Sequence, residues 1–182
     1  MGALDQAVRS GKAIYAAISN YPGALTAEAV ALTRQNRMAV PILHQPAYHM
    51  LHRTVEKDLL SVTQRFGLGV IAFCPLAQGL LTNKYLSGIP KDSRAGIPTG
   101  FLRPSQITAE KIEIVRRLNE IAQSRGQSLA QMALAWTLRL PGVTSALIGA
   151  SRPGQIKENV AALERSELSA EELAKIDSIV GQ

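Results

Sequence analysis

The stretch Gly69-Val70-Ile71-Ala72-Phe73-Cys74-Pro75 is almost wholly apolar and ends at a proline. A strand that is apolar on both faces is typical of a parallel sheet covered by helices. Three more short apolar runs are predicted to be strands: residues 13–18, 40–45 and 145–150. The run at 13–18 places Tyr15 inside a strand. The chain therefore has four predicted strands.

Amphipathic stretches between and after these runs are predicted to be helices. They cover residues 24–36, about 53–65, 108–124, 129–138, about 153–163 and 169–180. Thr108, Ser128 and Ser169 are the expected N-caps of three of them, because their hydroxyls can accept from free backbone N–H groups. The expected buried stripe of the 24–36 helix consists of Leu25, Ala29, Val30 and Leu32.

This alternation of strands and helices predicts the α/β class, with about four β/α units followed by C-terminal helices. Residues 75–104 are rich in Gly, Pro and Ser and are predicted to be a loop. The chain has 182 residues, which by itself suggests one domain. It is shorter than the roughly 250 residues that a complete (β/α)8 barrel usually needs.

Composition limits the classes of protein to consider. Hydrophobic residues make up 46% of the chain and charged residues 19%, which excludes disordered and disulfide-rich classes. A single cysteine, Cys74, fits a reducing cytoplasm, and no apolar run is long enough to span a membrane. The N-terminal residues do not resemble a signal peptide. We therefore expect a cytoplasmic protein.

The net charge is +6, but the 20 Lys and Arg residues are scattered and interleaved with acids. This pattern favours a solvated surface over nucleic-acid binding. His44, His49 and His52 lack a neighbouring carboxylate or cysteine to complete a metal site, so no metal is predicted. Cys74 lies between apolar residues and is expected to be unreactive.

Polar side chains without charge collect at the predicted carboxyl ends of the strands, where parallel α/β proteins bind ligands. They are Ser19, Asn20, Gln45, Gln78 and Ser151. Such a rim suits a polar ligand better than proton transfer. Each residue taken singly is also compatible with an ordinary turn or cap.

The segment 149–159 has the most specific pattern. A buried strand is followed by Gly149, Ser151 and Arg152, and Pro153 then begins a helix. The free N–H groups of a helix start attract anions, and a hydroxyl with a guanidinium suits a phosphate monoester.

Taken in order, residues 11–21, 44–49, 73–85 and 149–159 resemble the carboxyl-terminal half of an aldo-keto reductase. The similarity extends over essentially the whole chain. It is closest to the bacterial branch that contains glyceraldehyde 3-phosphate reductases and is related to potassium-channel beta subunits. The resemblance implies a (β/α)8 barrel, here an incomplete one, within residues 1–182, and reduction of small aldehydes and ketones with NADPH. Glyceraldehyde 3-phosphate and methylglyoxal are the substrates it suggests.

The resemblance also assigns residues to the cofactor. Ser19, Asn20 and Gln45 match positions that hold the nicotinamide. The residues matched to the pyrophosphate and ribose segment are Phe73, Pro75, Leu76, Ala77, Gln78, Lys84 and Arg94. Those matched to the 2′-phosphate and adenine are Gly149, Ser151, Arg152, Gln155, Glu158 and Asn159. The Ser151–Arg152 pair favours NADP(H) over NAD(H).

No residue of the sequence matches the family's catalytic Tyr, Lys, Asp and His, so no catalytic residue is predicted. Tyr21 is the only tyrosine at a predicted strand end, and the sequence indicates no base beside it that would adjust its pKa for proton transfer. We expect a truncated or split reading frame that retains the cofactor-binding half. The alternatives are a non-catalytic half-barrel that binds NADP(H) and a remnant of a split gene. Expected partners are NADPH, a carbonyl substrate and a complementary N-terminal half, or a second copy joined through the open barrel edges.

Overall fold

A computed structural model describes residues 1–91, 93–97 and 101–181. These residues form two compact units. Unit 1 consists of Met1–Tyr48, His52–Phe73 and Leu140–Leu147, and unit 2 contains the other described residues.

Unit 1 contains a four-stranded parallel sheet, which confirms the predicted α/β class. Its strands, in sheet order, are β1 (Ala16–Ser19), β2 (Pro41–Gln45), β3 (Gly69–Phe73) and β4 (Ser145–Leu147). Sheet order equals chain order, as in successive β/α units. The outer strands β1 and β4 are therefore the two edges of the sheet.

Two strand predictions were too long. The run at 13–18 enters the sheet only at Ala16, because Ala13 N–H is hydrogen-bonded to Ala7 O at the end of the preceding helix. Tyr15 therefore lies before the strand and is 67% exposed, so its predicted position inside a strand was wrong. The run at 145–150 ends at Leu147, which pairs with Phe73, the last residue of β3.

Unit 1 also contains three α-helices, and unit 2 contains four. In unit 1 these are α1 (Gly2–Arg9), α2 (Gly23–Gln35) and α3 (Leu59–Phe66). In unit 2 they are α4 (Ala109–Ser124), α5 (Leu129–Leu138), α6 (Pro153–Val160) and α7 (Ala170–Val180). The predicted caps are confirmed, since the hydroxyls of Thr108, Ser128 and Ser169 each accept a backbone N–H of the third helical residue.

The other predicted segments needed correction. The helix predicted at 53–65 is divided into a 3-10 turn, Thr54–Glu56, and α3, because Asp58 leaves the helical region at φ −146°. The helix predicted at 153–163 continues beyond Val160 as the 3-10 segment Ala161–Arg165. The predicted loop at 75–104 has two 3-10 turns before residue 91 and a third beginning at its last residue, and its residues 92 and 98–100 lie outside the described residues.

The core of unit 1 lies under one face of the sheet, where Ile18, His44 and Val70 occupy one row and are buried. The buried side of α2 differs from the predicted stripe. Thr26 and Thr33 are buried together with Ala29 and Val30, whereas Leu25 and Leu32 are 38% and 45% exposed. The threonines fit this side because their hydroxyls reach backbone carbonyls; Thr33 Oγ1, for example, donates to Ala29 O at 2.9 Å.

Unit 2 is held together by a buried charged cluster around Arg125. Its guanidinium pairs with Glu172 of α7 and donates to the carbonyls of Arg165 and Glu167, at 3.1 Å and 2.8 Å. Burial raises the pKa of Glu172, but hydrogen bonds from Ser169 N–H and Arg125 outweigh that effect and lower the pKa overall. The cluster thus joins the end of α4 to α7.

Gly23, the first residue of α2, is predicted to be intolerant of any side chain. A Cβ there would lie 2.8 Å from Asp58 Oδ2, which accepts Gly23 N–H at 2.9 Å. Replacement of Gly23 by alanine should lower the free energy of unfolding by about 1–3 kcal/mol, as overpacking usually does. Urea denaturation measures the change. Gly142→Ala is the control, because nothing lies within 4 Å of that position; an equal loss in both variants would refute the close approach.

Candidate functional site

In unit 1, four of the residues assigned to the cofactor meet at the carboxyl edge of the sheet. Ser19 and Gln45 are register partners, and Ser19 Oγ donates to Gln45 O at 2.8 Å. Asn20 follows with φ +56°, and its Oδ1 accepts Ala47 N–H at 3.2 Å. Phe73 N–H donates to Pro46 O at 2.9 Å, which places Phe73 beside the end of β2.

The segment after β3 belongs to unit 2 and has an unusual backbone. Cys74, Ala77 and Gln78 have φ values of +55°, +48° and +59°. Each such non-glycine residue costs on the order of 1 kcal/mol or more, and this kind of strain clusters at functional sites. Gly79 N–H and Leu81 N–H both donate to Leu76 O, which closes the turn. Pro75, Leu76, Ala77 and Gln78 thus present a tightly folded backbone, a feature that the sequence alone did not reveal.

The start of α6 brings Ser151, Arg152 and Gln155 together. Gln155 Oε1 accepts the backbone N–H of Ser151 at 2.8 Å and that of Arg152 at 3.3 Å, and the Ser151 hydroxyl at 3.2 Å. The sequence predicted free N–H groups here, and these two instead have a side-chain partner. An anion that uses these two N–H groups must therefore displace the Gln155 amide oxygen from them.

The remaining assigned residues of unit 2 differ in their surroundings. Arg94 lies beside Gly149, since a Cβ on that glycine would be 3.6 Å from Arg94 Nη2. Lys84 is exposed on a 3-10 turn. Glu158 is also exposed, and its carbonyl accepts Gln131 Nε2 at 3.2 Å, whereas Asn159 is buried. The structure thus places Arg94 with Gly149 but gives Lys84 no side-chain partner among the described residues.

His44 lies on the helix-covered side of the sheet. Its Nε2 donates to Tyr21 O at 3.0 Å, and its buried Nδ1 has no hydrogen-bond partner in the described structure. Burial lowers the pKa of His44 below its ordinary value of 6.5, opposed by the bond to Tyr21. His44 is thus a core residue that is stable in the neutral form.

A pH dependence of stability follows from His44. Since its pKa is lower in the folded state, the unfolded chain takes up a proton first as pH falls. The contribution of His44 to the free energy of unfolding should not change with pH above the ordinary pKa of 6.5. Below that value, the contribution should fall as the pH falls. Denaturation of wild type and His44→Gln between pH 5 and pH 8, approximate limits around the ordinary pKa, tests this. The stability of the variant should fall less than that of wild type as the pH is lowered. Parallel plots of stability against pH for the two proteins would contradict the lowered pKa of His44.

The other groups considered from the sequence are His49, His52 and Cys74, all of which lie in the described part of the chain. No cluster of three or more His, Cys, Asp or Glu side chains that could hold a metal ion occurs in the part of the chain that is described. His49 Nδ1 accepts Leu51 N–H at 3.2 Å, and His52 Nε2 lies 3.1 Å from Thr54 Oγ1. Cys74 is a free, half-buried thiol. Across the described residues, no helix is both long and apolar enough to cross a membrane.

The parallel sheet, its helices and the polar residues at its carboxyl edge define an α/β protein consistent with part of a (β/α)8 barrel. Comparison with protein families identifies the aldo/keto reductase family over residues 1–181. The chain belongs to this family, as its sequence motifs predicted.

Individual relatives agree with the branch predicted from the motifs. L-glyceraldehyde 3-phosphate reductase of Escherichia coli K12 is 51% identical over 179 residues, covering 96% of this chain and 51% of the relative. The protein of the same name from E. coli O157:H7 is 50% identical, and the match again covers 96% of this chain and 51% of the relative. A putative voltage-gated potassium channel subunit beta of Schizosaccharomyces pombe is 38% identical, covering 98% of this chain and 53% of the relative. The chain thus spans about half the length of these relatives.

Proposed function

We propose that this chain provides the NADP(H)-binding part of an aldo-keto reductase that reduces small aldehydes and ketones. Membership of the family and relatives named as glyceraldehyde 3-phosphate reductases support this reaction class. Glyceraldehyde 3-phosphate and methylglyoxal are the first substrates to try. When bound, NADPH supplies the hydride that reduces the carbonyl carbon.

The nicotinamide end is assigned to unit 1. The observation that carries this assignment is the pairing of Ser19 with Gln45, next to Asn20, at the carboxyl edge of the sheet. These residues provide amide and hydroxyl groups without charge, which suits a carboxamide. Their backbone is fixed by the sheet and by the Asn20–Ala47 hydrogen bond, so the groups are positioned before a ligand arrives.

The phosphates are assigned to unit 2. Lys84, Arg94 and Arg152 are exposed cations. Their positive charges fit a polyanionic ligand. Pro75, Leu76, Ala77 and Gln78 would lie along the pyrophosphate with Phe73. The adenosine 2′-phosphate would contact Ser151 and Arg152, near Gly149, Gln155, Glu158 and Asn159, which supports NADP(H) as the cofactor.

We further propose that the chain lacks the proton donor of the reaction. Reduction of a carbonyl leaves an alkoxide that needs a proton, and no residue here matches the family's Tyr, Lys, Asp and His. Activity then depends on a complementary N-terminal half that supplies the acid. A second copy that pairs with the edges β1 and β4 would lack the same acid and would form an assembly without catalysis. The alternatives remain a non-catalytic NADP(H)-binding half-barrel and a remnant without function. The cytoplasm is the proposed location, in keeping with the free thiol of Cys74.

The purified chain is expected to show no carbonyl-dependent oxidation of NADPH. Absorbance of NADPH is followed in the presence of methylglyoxal or glyceraldehyde 3-phosphate, with a complete aldo-keto reductase as the positive control. The physical reason is the absent acid, whose contribution is typically 10²–10⁴-fold in rate. Turnover comparable to that of the complete enzyme would overturn the proposal.

A fluorescence titration with NADPH separates the alternatives. Saturable binding without turnover supports a cofactor-binding part, and addition of a recombinant N-terminal half of a relative then tests whether activity appears. Absence of binding by the folded chain would refute the proposed cofactor role and favour a remnant. Far-UV circular dichroism establishes folding in the same sample.

A further inference from the structure

Three large apolar side chains form an exposed stripe along α6 and the 3-10 segment that follows it in unit 2. Ile156 is 50% exposed, Val160 57% and Leu163 61%. They are four and three residues apart, and these are the spacings that keep side chains on one face of an α-helix and of a 3-10 helix, respectively. The solvent side of a surface helix is usually polar, and a contiguous apolar patch often marks an interaction surface.

The buried side of the same helix does not include the stripe. Asn159 and Ala162 are buried, and Gln155 lies four residues before Asn159 on the same side and is half-buried. The assignment of Gln155 and Asn159 to the cofactor therefore concerns a different side of α6. No residue of the stripe is assigned to the cofactor, so the proposed function does not explain its exposure.

A row with two opposite charges runs beside the stripe. Lys157 and Glu164 are exposed and directly follow Ile156 and Leu163 in the chain, so their row has the same spacing as the stripe. Neither side chain forms an ion pair with any of the described residues. The row thus has one basic end, one acidic end and a total charge of zero.

The stripe and the charged row together fit a second copy of this chain, antiparallel to the first about a two-fold axis near Val160. A two-fold interface is self-complementary, because each contact occurs twice with the copies exchanged. Lys157 lies three residues before Val160 and Glu164 four residues after it, so each Lys157 would face the partner's Glu164. Ile156 and Leu163 would face each other in the same way. A strongly acidic or basic partner would instead meet one charge of its own sign.

We infer that this stripe is an interface between two copies of the chain. The contact buries three apolar side chains from each copy and forms two ion pairs, which is small beside the roughly 1,200–2,000 Å² of stable interfaces. The dimer is therefore weak, with a Kd on the order of 0.1–1 mM. The interface belongs to unit 2 and does not involve the strand edges β1 and β4. Dimerisation does not depend on NADP(H).

Sedimentation equilibrium of the full chain tests the interface, at protein concentrations from about 10 µM to 1 mM, a range that includes the expected Kd. The average mass of wild type should rise with concentration toward twice the monomer mass. Val160→Glu should raise Kd about tenfold or more, because it brings two carboxylates together at the axis in place of an apolar contact. Far-UV circular dichroism establishes that each variant is folded.

Charge reversal tests the antiparallel arrangement. Lys157→Glu should raise Kd about threefold or more, since both ion pairs become contacts between like charges. The double variant Lys157→Glu/Glu164→Lys restores opposite charges across the axis and should return Kd to within about twofold of wild type. Lys175→Glu is the control, because it makes the same change of charge at an exposed position of α7 and should leave Kd unchanged.

Four results would overturn the inference. One is a wild type that remains monomeric at about 1 mM. Another is a dimer with the same Kd in a folded Val160→Glu variant, which would place the contact elsewhere, such as at the strand edges. The third is equal weakening by Lys157→Glu and by the double variant. The last is a monomer that binds a recombinant N-terminal half of a relative through Val160, which would assign the stripe to that half.

The outcome is independent of the proposed function. Binding of NADPH is measured in a separate titration of the same chain, and the residues changed here are not assigned to the cofactor. A failure of dimerisation therefore leaves the proposed cofactor role untouched, and an absence of NADPH binding leaves the interface untouched.

Discussion

Replacement of Arg152 by alanine is expected to weaken NADPH binding by about 10-fold or more while changing NADH binding little. A hydrogen bond to a charged group contributes about 1.5–3 kcal/mol, and 1.4 kcal/mol corresponds to a factor of ten. The proposed partner of Arg152 is the 2′-phosphate, which NADH lacks. Fluorescence titrations of wild type and variant with each cofactor measure the ratio of the two Kd values for NADPH and for NADH.

The control for this result is Arg117→Ala. Arg117 is exposed on α4 and carries the same charge, but it is not assigned to the cofactor. It should leave both affinities close to wild type, apart from a small long-range effect that salt screens. Equal losses for NADPH and NADH in the Arg152 variant, or equal losses in the two variants, would contradict recognition of the 2′-phosphate by Arg152.

Replacement of Arg125 by methionine is expected to lower the free energy of unfolding by about 3–5 kcal/mol. Arg125 is 3% exposed, and its removal takes the cationic partner from Glu172 and one donor from each of the carbonyls of Arg165 and Glu167. Breaking a buried ion pair by removing one partner has a cost of this size. Urea denaturation followed by the fluorescence of Trp136, the only tryptophan and a buried residue, measures it.

Arg116→Met provides the matched comparison. Arg116 pairs with Glu113 on α4, where both side chains are more than half exposed. Exposed pairs of this kind contribute about 0–1 kcal/mol, so this variant should unfold close to wild type. If the Arg116 variant were as destabilised as the Arg125 variant, the loss would reflect a change in α4 and not the buried cluster.

Much of the fold could be predicted because its signals are local. The run at 69–74 is apolar on both faces, and β3 lies there as expected for a buried parallel strand. Ser128 and Ser169 could be identified as N-caps, since each is followed at the third helical position by Gln131 or Glu172, which completes a capping box.

The wrong helix predictions concern positions at which tertiary contacts, not local sequence, determine the structure. Leu25 and Leu32 fit an apolar stripe, but α2 buries the side that carries Thr26 and Thr33, whose hydroxyls are satisfied locally or by nearby carbonyls. The interruption near Asp58 depends on its hydrogen bond to Gly23, a residue 35 positions away. Neither effect can be predicted from helical periodicity.

The residues of the candidate site were proposed from family resemblance, whereas their geometry could not be predicted from the sequence. Family resemblance selected Ser19, Gln45 and Arg152, and the structure gives Ser19 and Gln45 a direct hydrogen bond. The left-handed backbone at Ala77 and Gln78 had no sequence signal, because neither residue type favours positive φ. The capping of Ser151 and Arg152 N–H groups by Gln155 likewise appears only once the side chains are placed.

The most direct test of the central claim is the affinity of the unmodified chain for NADPH and NADH, measured side by side by fluorescence titration at fixed ionic strength. A chain that provides the NADP(H)-binding part of an aldo-keto reductase should bind NADPH saturably and about 10-fold or more tightly than NADH, the difference expected from one charge-assisted contact to the extra phosphate. Equal affinities, or no saturable binding by the folded chain, would contradict it.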